Sequence, residues 1–373
     1  MTRWDVAIVG AGMAGASLAA ELAGAASVLL LEAESQPGYH STGRSAAFWS
    51  ETYGGPLIQP LTSASGSFLA CPPADFSDAG FLGPRGALHL ADAAGEAALA
   101  AFLERFAGSQ VQLDSIGLAE LQRRIPGLKP DWNAAAYEPS CTDIDVAALH
   151  AAYLKRARAR GAGLVTDGRV TSATRERGQW RIETGSGRFE ADILVDAAGA
   201  WVDEVAALAG VRPLGIRPHR RTIVQLRIDP PAPPDLPLVI DALQRFYFKP
   251  EAGGRLWLSP HDETPCEPGD SAPEEIDVAI AIDRLEQVVD WRIERVERRW
   301  AGLRSFAPDR LPVYGFDPEA SGFFWCAGQG GFGIQTAPAA AKLAAALLLG
   351  TPPDPLVANL DPAPYSAARF GLA

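Results

Sequence analysis

The period of apolar and polar positions changes several times along the chain, and each change predicts an element. The run Asp5-Val6-Ala7-Ile8-Val9 is continuously apolar after its first residue, as a buried strand is, and it stops at Gly10-Ala11-Gly12-Met13-Ala14-Gly15. Ala and Leu then recur at helical spacing to about Ala23, and residues 27–32 form a second strand-like run. Strand, glycine turn, helix and strand make a βαβ unit. Helical spacing returns over residues 147–161 with Asp145 as its N-cap, and leads into Leu164-Val165. Short alternating segments follow at 169–174, 180–184 and 188–191, separated by polar turns such as Gly185-Ser186-Gly187, before the apolar Ile193-Leu194-Val195. This pattern predicts a β-meander inserted in an α/β sheet.

Between 216 and 260 the pattern becomes extended segments broken by prolines, at 222–228, 236–240, 246–248 and 256–258, which predicts an antiparallel sheet. Residues 230–237 read as a surface loop. Residues 56–140, rich in Ala, Gly and Pro with a helix about 96–106, share no motif with their flanks. Two domains are therefore expected: a discontinuous nucleotide-binding domain from 1–55, 141–215 and 301–373, and a substrate domain from 56–140 and 216–300. The Ala-rich stretch around 343–348, with Lys342 at its start, reads as a buried helix, and no apolar run reaches the roughly 18 residues of a bilayer span. An integral membrane protein is not expected.

A chain of 373 residues, 47% hydrophobic and 21% charged, has enough apolar material for two cores. Its net charge of -12 repels nucleic acid, whose binding relies on clustered Lys and Arg, so nucleic-acid partners are excluded. The cluster His219-Arg220-Arg221, with Arg304, is a locally basic candidate for an anionic group. The four cysteines Cys71, Cys141, Cys266 and Cys326 stand far apart with no CxxC, which suits a reducing compartment and argues against a structural metal. The first ten residues contain no signal-peptide pattern, so a cytoplasmic protein is expected, free or peripheral to the inner membrane.

The chemistry starts at the glycine turn. Gly10 permits the tight turn, Gly12 lets backbone approach a pyrophosphate, Gly15 lets helix and sheet pack closely, and the helix N-terminus offers unpaired N–H groups. Glu32, at the end of the next strand, is placed to accept hydrogen bonds from ribose hydroxyls. The turn alone does not separate NAD from FAD. The ordered set Gly10-x-Gly12-xx-Gly15-xxx-Ala19-xx-Leu22, Gly43-Arg44-Ser45-Ala46, Asp196-Ala197-Ala198-Gly199-Ala200-Trp201 and Gly328-Gln329-Gly330-Gly331-Phe332-Gly333 resembles the FAD-dependent D-amino-acid oxidase superfamily from end to end. That resemblance implies a Rossmann-like FAD-binding domain with a β-meander, joined to an α+β substrate domain built on an antiparallel sheet. It implies non-covalent FAD held by Gly10, Gly12, Met13, Ala14, Gly15, Glu32, Ala33, Thr42, Gly43, Arg44, Ser45, Ala47, Val170, Ala198, Gly199 and Trp201. It adds Gly330, Gly331, Phe332, Gly333, Ile334, Gln335 and Thr336, before a helix whose positive end faces the flavin N1/C2=O locus.

Within the superfamily the pattern is most similar to D-amino-acid dehydrogenases of the D-arginine dehydrogenase type. The phrases that carry this are Gly38-Tyr39-His40-Ser41-Thr42-Gly43-Arg44-Ser45-Ala46-Ala47, Ile144-Asp145, Gly210-Val211-Arg212-Pro213-Leu214-Gly215, Phe246-Tyr247-Phe248-Lys249-Pro250, Trp300-Ala301-Gly302-Leu303-Arg304-Ser305-Phe306 and Gln329-Gly330-Gly331-Phe332-Gly333-Ile334-Gln335-Thr336. The resemblance implies that Arg221, Tyr247 and Arg304 surround the substrate carboxylate and amine, with Tyr53 as a lid over the flavin and Gly331 in the pocket. Two positions depart from it. Phe48 stands where those sequences have histidine and Ala87 where they have glutamate, so a cationic side chain loses its partner and the pocket should favour uncharged, apolar or aromatic side chains. Trp49 is a candidate to extend that wall, or a core residue.

The expected reaction is oxidation of the Cα–N bond of a small-molecule amino acid, most of all a D-amino acid. Hydride passes from Cα to flavin N5, and the imino acid then hydrolyses to a 2-oxo acid and ammonia. No catalytic base is expected, because the amine can lose its proton on binding. The alternatives are a glycine or N-methyl (secondary) amino-acid oxidase of the same superfamily, and a flavin-linked 2-hydroxyacid dehydrogenase. The latter normally wants a histidine base, and Phe48 removes the obvious one while His40 and His261 have no place yet. The electron acceptor is oxygen or a quinone-type molecule.

Overall fold

The computed structural model describes residues 3–371, so Met1 and Thr2 of the opening segment lie outside the described residues. Strand Arg3–Val9 lies at the centre of an eight-stranded sheet, in parallel between Val28–Leu31 and Gly187–Asp196. Gly163–Val165 extends the sheet in parallel beyond Val28–Leu31, and Phe323–Ala327 pairs in parallel with the end of Gly187–Asp196. The first two strands are unbroken apolar runs because both faces of the sheet are covered. Helix Met13–Leu22 crosses between them and packs its Leu18 and Leu22 with Tyr153 of helix Val146–Ala159 and Leu343 of helix Ala337–Leu349. Asp145 caps the second of these helices, accepting from the Ala148 N–H at 2.9 Å, as its sequence position suggests.

The meander is present but not as an insertion. Val170–Glu176, Gln179–Thr184 and the first half of Gly187–Asp196 form it, and the last of these strands runs on without a break into the parallel sheet. The expected separation of 188–191 from 193–195 is therefore corrected. The polar Asp192 stays within the strand because Arg3 and Gln179 donate to its carboxylate at 3.0 and 3.1 Å.

A ten-stranded sheet carries the four segments expected between 216 and 260, as Arg217–Asp229, Leu238–Asp241, Tyr247–Glu251 and Arg255–Ser259. Its pairings are antiparallel except one: Leu238–Asp241 runs parallel to Ala87–Ala91, so the region 56–140 joins the same sheet. Strand Arg292–Phe306 pairs with Arg217–Asp229 along its whole length, yet its sequence shows no alternation because its first half is exposed on both faces. Helix Glu275–Val288 is likewise hidden in sequence: Ile276, Val278, Ile280 and Ile282 recur at period two, whereas Val278, Ala281, Leu285 and Val288 are what it buries. Helix Glu96–Phe106 is found where expected. The segment 230–237 is only partly a surface loop, since Ala232 and Leu236 enter the core beneath the sheet.

Alternation along Arg217–Asp229 sets the position of the site. Val224, Leu226 and Ile228 pack under helix Glu275–Val288, and Ile223 falls on the opposite face, in a small cluster with Phe48, Ala87 and Tyr247. Among the described residues no helix is long and apolar enough to cross a membrane.

Candidate active site

A long cleft enclosing about 1540 Å³, part of it open to solvent, begins at the carboxyl ends of the parallel strands and runs to the face of the ten-stranded sheet that carries Arg221 and Ile223. Its first part is built by the glycine turn. Gly10 takes φ +97°, where a Cβ would stand 2.5 Å from the Ala197 carbonyl oxygen, and a Cβ on Gly15 would collide with the Gly10 carbonyl. Helix Met13–Leu22 has no side-chain cap and no acidic residue in its first turn, so its positive end is open to an anion. The Met13 N–H donates to Thr42 Oγ1 at 3.0 Å, which ties the turn to residues 41–44. Glu32 is buried, with its oxygens accepting from Ala11 N–H at 2.9 Å and Glu34 N–H at 3.0 Å; a carboxylate keeps lone pairs beyond these for ribose hydroxyls. These residues fit a dinucleotide.

Of the cofactor residues expected from sequence, Gly10, Gly12, Met13, Ala14, Glu32, Ala33, Thr42, Arg44, Ser45, Val170, Ala198, Gly199, Trp201, Gly330, Gly331, Gly333 and Ile334 line this cleft. Gly15, Gly43, Ala47, Phe332, Gln335 and Thr336 stand behind the lining. The cleft also takes in residues to which sequence reasoning assigned no role. His40 pairs with Glu34 at 3.0 Å and lies 4.6 Å from Trp201, whose ring also faces the Arg169 guanidinium at 5.7 Å. His40 belongs to a phrase quoted for its resemblance, but nothing local in the sequence ties it to Trp201, more than 150 residues away.

At the other end, Arg304 Nη1 donates to the Tyr53 hydroxyl at 2.8 Å. Burial disfavours the Arg304 cation, but Tyr53, Tyr247, Glu263 and Asp262 outweigh it and hold its pKa above the ordinary value. Arg221 is 3% exposed; its Nε donates to the Asp262 carbonyl and its Nη2 to Glu263, leaving Nη1 buried without a partner. Burial, then repulsion from Arg304, lowers the Arg221 pKa to about 10. The Tyr247 hydroxyl is also buried without a partner, and the ring packs against His261 at 5.5 Å. Phe48 stands edge-on to Tyr53 at 5.1 Å and to Tyr247 at 6.2 Å, with fully buried Ala87 in the same cluster. A Cβ on Gly331 would lie 2.7 Å from the Tyr53 hydroxyl, so no side chain fits there. Of the expected substrate residues Arg221, Arg304 and Gly331 line the cleft, while Phe48, Tyr53, Ala87 and Tyr247 pack together behind that lining. Two cations and two phenols therefore lie beside an apolar cluster, an arrangement suited to a carboxylate attached to an apolar body.

Three expectations change. The basic cluster is not one site: alternation sends Arg220 away from Arg221, into contact with Glu274 and Asp277 at 2.5 and 2.9 Å, and His219 is turned back onto the Arg217 carbonyl. Trp49, adjacent to Phe48 on the same two-residue strand, points the other way into the helical core and donates to the Thr62 carbonyl at 3.0 Å. A buried carboxylate also lies near the wall after all. Glu138 is directly opposite Ala87 in the strand pair, but its oxygens are taken up by Ser50, Thr52 and the Glu51 N–H.

A family model described as FAD dependent oxidoreductase matches residues 5–347. The chain belongs to this family. Glycine oxidase from Pseudomonas aeruginosa is 28% identical over 270 residues, 69% of this chain and 68% of that protein. The bifunctional protein ThiO/ThiG from Synechocystis is 27% identical over 243 residues, 64% of this chain but only 35% of that longer protein. The crystal structure of glycine oxidase from Geobacillus kaustophilus superposes with a TM-score of 0.85 at 27% identity, covering 99% of both chains. Two of the relatives named here are glycine oxidases and the third is a ThiO/ThiG protein, none a D-arginine dehydrogenase, so the comparisons carry the family and its fold and not the finer resemblance.

This FAD-dependent oxidoreductase has no cysteine lining the cleft among its described residues. Cys326, the one closest in sequence to the last glycine run, is buried, and burial, then Asp196, pushes its thiol up to about 12, which disfavours a thiolate nucleophile. FAD is expected to leave with the supernatant when the protein is precipitated with acid; yellow colour retained in the pellet would refute non-covalent binding. Glu32→Ala is expected to weaken FAD binding about tenfold, the scale of one charge-assisted hydrogen bond. Flavin content after dilution and gel filtration measures this, and full retention would remove Glu32 from the nucleotide site.

Proposed function

We propose that the protein oxidises the Cα–N bond of an amino acid with an uncharged side chain, most of all a D-amino acid, giving an imino acid and then a 2-oxo acid and ammonia. The observation that carries this reading is the meeting of Arg304, Arg221, Tyr53 and Tyr247 with the Phe48/Ala87 wall beside Gly331. Arg304 and the two phenols hold the substrate carboxylate and fix its plane, which orients the Cα–H bond. Phe48 and Ala87 exclude water and take an apolar side chain. Bound FAD supplies the two-electron acceptor for the Cα hydride. No protein base is assigned, because the amine can lose its proton before or during binding; of the two histidines, His40 lies at the Glu34/Trp201 end of the cleft and His261 packs its ring on Tyr247.

In this reading residues 1–55, 141–215 and 301–373 hold FAD, with 56–140 and 216–300 forming the substrate side. The final electron acceptor would be oxygen or a quinone-type molecule, and the protein works in the cytoplasm or peripheral to the inner membrane. A second reading, oxidation of glycine or an N-methyl amino acid, is favoured by the relatives named glycine oxidase. Anaerobic mixing with D-, L- and N-methyl amino acids, glycine and 2-hydroxy acids, followed as bleaching of the flavin band, separates them. Fastest bleaching is expected with an apolar D-amino acid. Glycine or an N-methyl amino acid reacting fastest would establish the second reading, and reaction with 2-hydroxy acids alone would overturn both.

A further inference from the structure

Tyr53 sits in a turn, not in a regular element, yet its hydroxyl must stay on Arg304 for the pair to act on one substrate group. The three residues before it are all gripped by one buried carboxylate. Glu138, 0% exposed on strand Ala134–Glu138, accepts from the Ser50 hydroxyl at 2.9 Å, the Glu51 N–H at 2.7 Å and the Thr52 hydroxyl at 2.6 Å. His89, on the neighbouring strand, approaches the same carboxylate oxygen at 3.5 Å and Thr52 Oγ1 at 3.2 Å. Burial raises the pKa of such a carboxyl, but contacts with His89, Thr52 and Ser50 outweigh it and hold Glu138 below the usual carboxylate range. From the other side Gln335 donates to the Tyr53 carbonyl at 3.1 Å and to Thr62 Oγ1 at 2.9 Å. Past Tyr53 the backbone turns through Gly54 and Gly55 at φ +101° and +85°, where the Gly55 N–H donates to the Thr52 carbonyl at 3.2 Å.

We infer that Glu138 is a positioning residue that acts through Tyr53: its carboxylate fixes residues 50–52 so that the Tyr53 hydroxyl stays against Arg304 at the substrate end of the cleft. A buried charge that, besides His89, takes its donors from the three residues leading to one functional side chain is costly to keep for packing alone, since an apolar side chain would fill that space without desolvating a charge. The Tyr53 oxygen accepts from Arg304 and so keeps its own O–H to donate. A small displacement of this group separates it from a bound carboxylate. The inference rests on the amino-acid reading above for its kinetic consequence, but not for its structural one.

The test uses the FAD-loaded protein with Glu138→Gln and, as a second variant that leaves the buried carboxylate in place, the near-isosteric Thr52→Val. Hydrogen–deuterium exchange at amides 51–55 is expected to quicken in both variants while the parallel sheet stays protected. kcat/KM for the best amino acid is expected to fall about tenfold in Glu138→Gln and less in Thr52→Val. Combined with Tyr53→Phe, neither change should lower kcat/KM much further, because both act through the same hydroxyl. Unchanged exchange at 51–55 in a flavin-loaded variant, or losses that add fully to that of Tyr53→Phe, would overturn the inference. If the wild type oxidises no amino acid, the functional reading fails by itself, and exchange at 51–55 still decides the role of Glu138.

Discussion

Arg304→Ala is expected to lower kcat/KM for every amino-acid substrate by at least about a hundredfold, since two charge-assisted bonds to a carboxylate at roughly 1.5–3 kcal/mol each are lost together. The effect should not depend on the side chain, because all amino acids share the carboxylate. Arg221 cannot replace it: Glu263 and the Asp262 carbonyl already hold that guanidinium, and only Nη1 is free. Arg304→Lys should recover part of the loss, restoring the charge but not the planar fork. Flavin content and Tm measured alongside separate loss of chemistry from loss of fold. An Arg304→Ala protein with unimpaired kcat/KM would remove Arg304 from the substrate site.

Cationic substrates form the second large effect. D-arginine and D-lysine are expected to fall about tenfold to a hundredfold below apolar or aromatic D-amino acids in kcat/KM, as a buried cation without a carboxylate partner forfeits roughly 1.5–3 kcal/mol. Ala87 is fully buried against Phe48 and Tyr247, and Glu138 across the strand pair is already occupied by Ser50, Glu51 and Thr52. No carboxylate is therefore left over on that wall. The double variant Phe48→His/Ala87→Glu should raise D-arginine relative to D-phenylalanine by about tenfold. D-arginine as the best wild-type substrate would overturn the pocket assignment.

Much of the nucleotide end is legible in the sequence because its constraints are local. Gly10, Gly12 and Gly15 are required by a turn, a close approach and a helix–sheet contact within six residues, and Glu32 follows one strand later. The cap at Asp145 and helix Glu96–Phe106 are legible for the same reason. Strand Arg292–Phe306 is not: its outer half is exposed on both faces, so the partner strand Arg217–Asp229, and not its own pattern, makes it a strand.

Sequence by itself determines the glycine turn, an extended segment from 222 and the residue types of a basic cluster. No strand over 217–221 or 48–49 is legible in it, so the alternation that separates Arg220 from Arg221 and Trp49 from Phe48 is not either. Only the tertiary structure decided which of each pair turns toward Tyr53, Tyr247 and Arg304, since that depends on what packs against each face of the sheet. Arg220 meets the carboxylates of Glu274 and Asp277 at the start of a helix, and Trp49 meets helix Gln59–Ala70, leaving Arg221 and Phe48 for the site. Glu138 shows the same limit from the other side. Its residue type is plain in the sequence, but its partners Ser50, Glu51 and Thr52 are more than 80 residues away, and only folding brings a carboxylate that far along the chain to the turn that carries Tyr53.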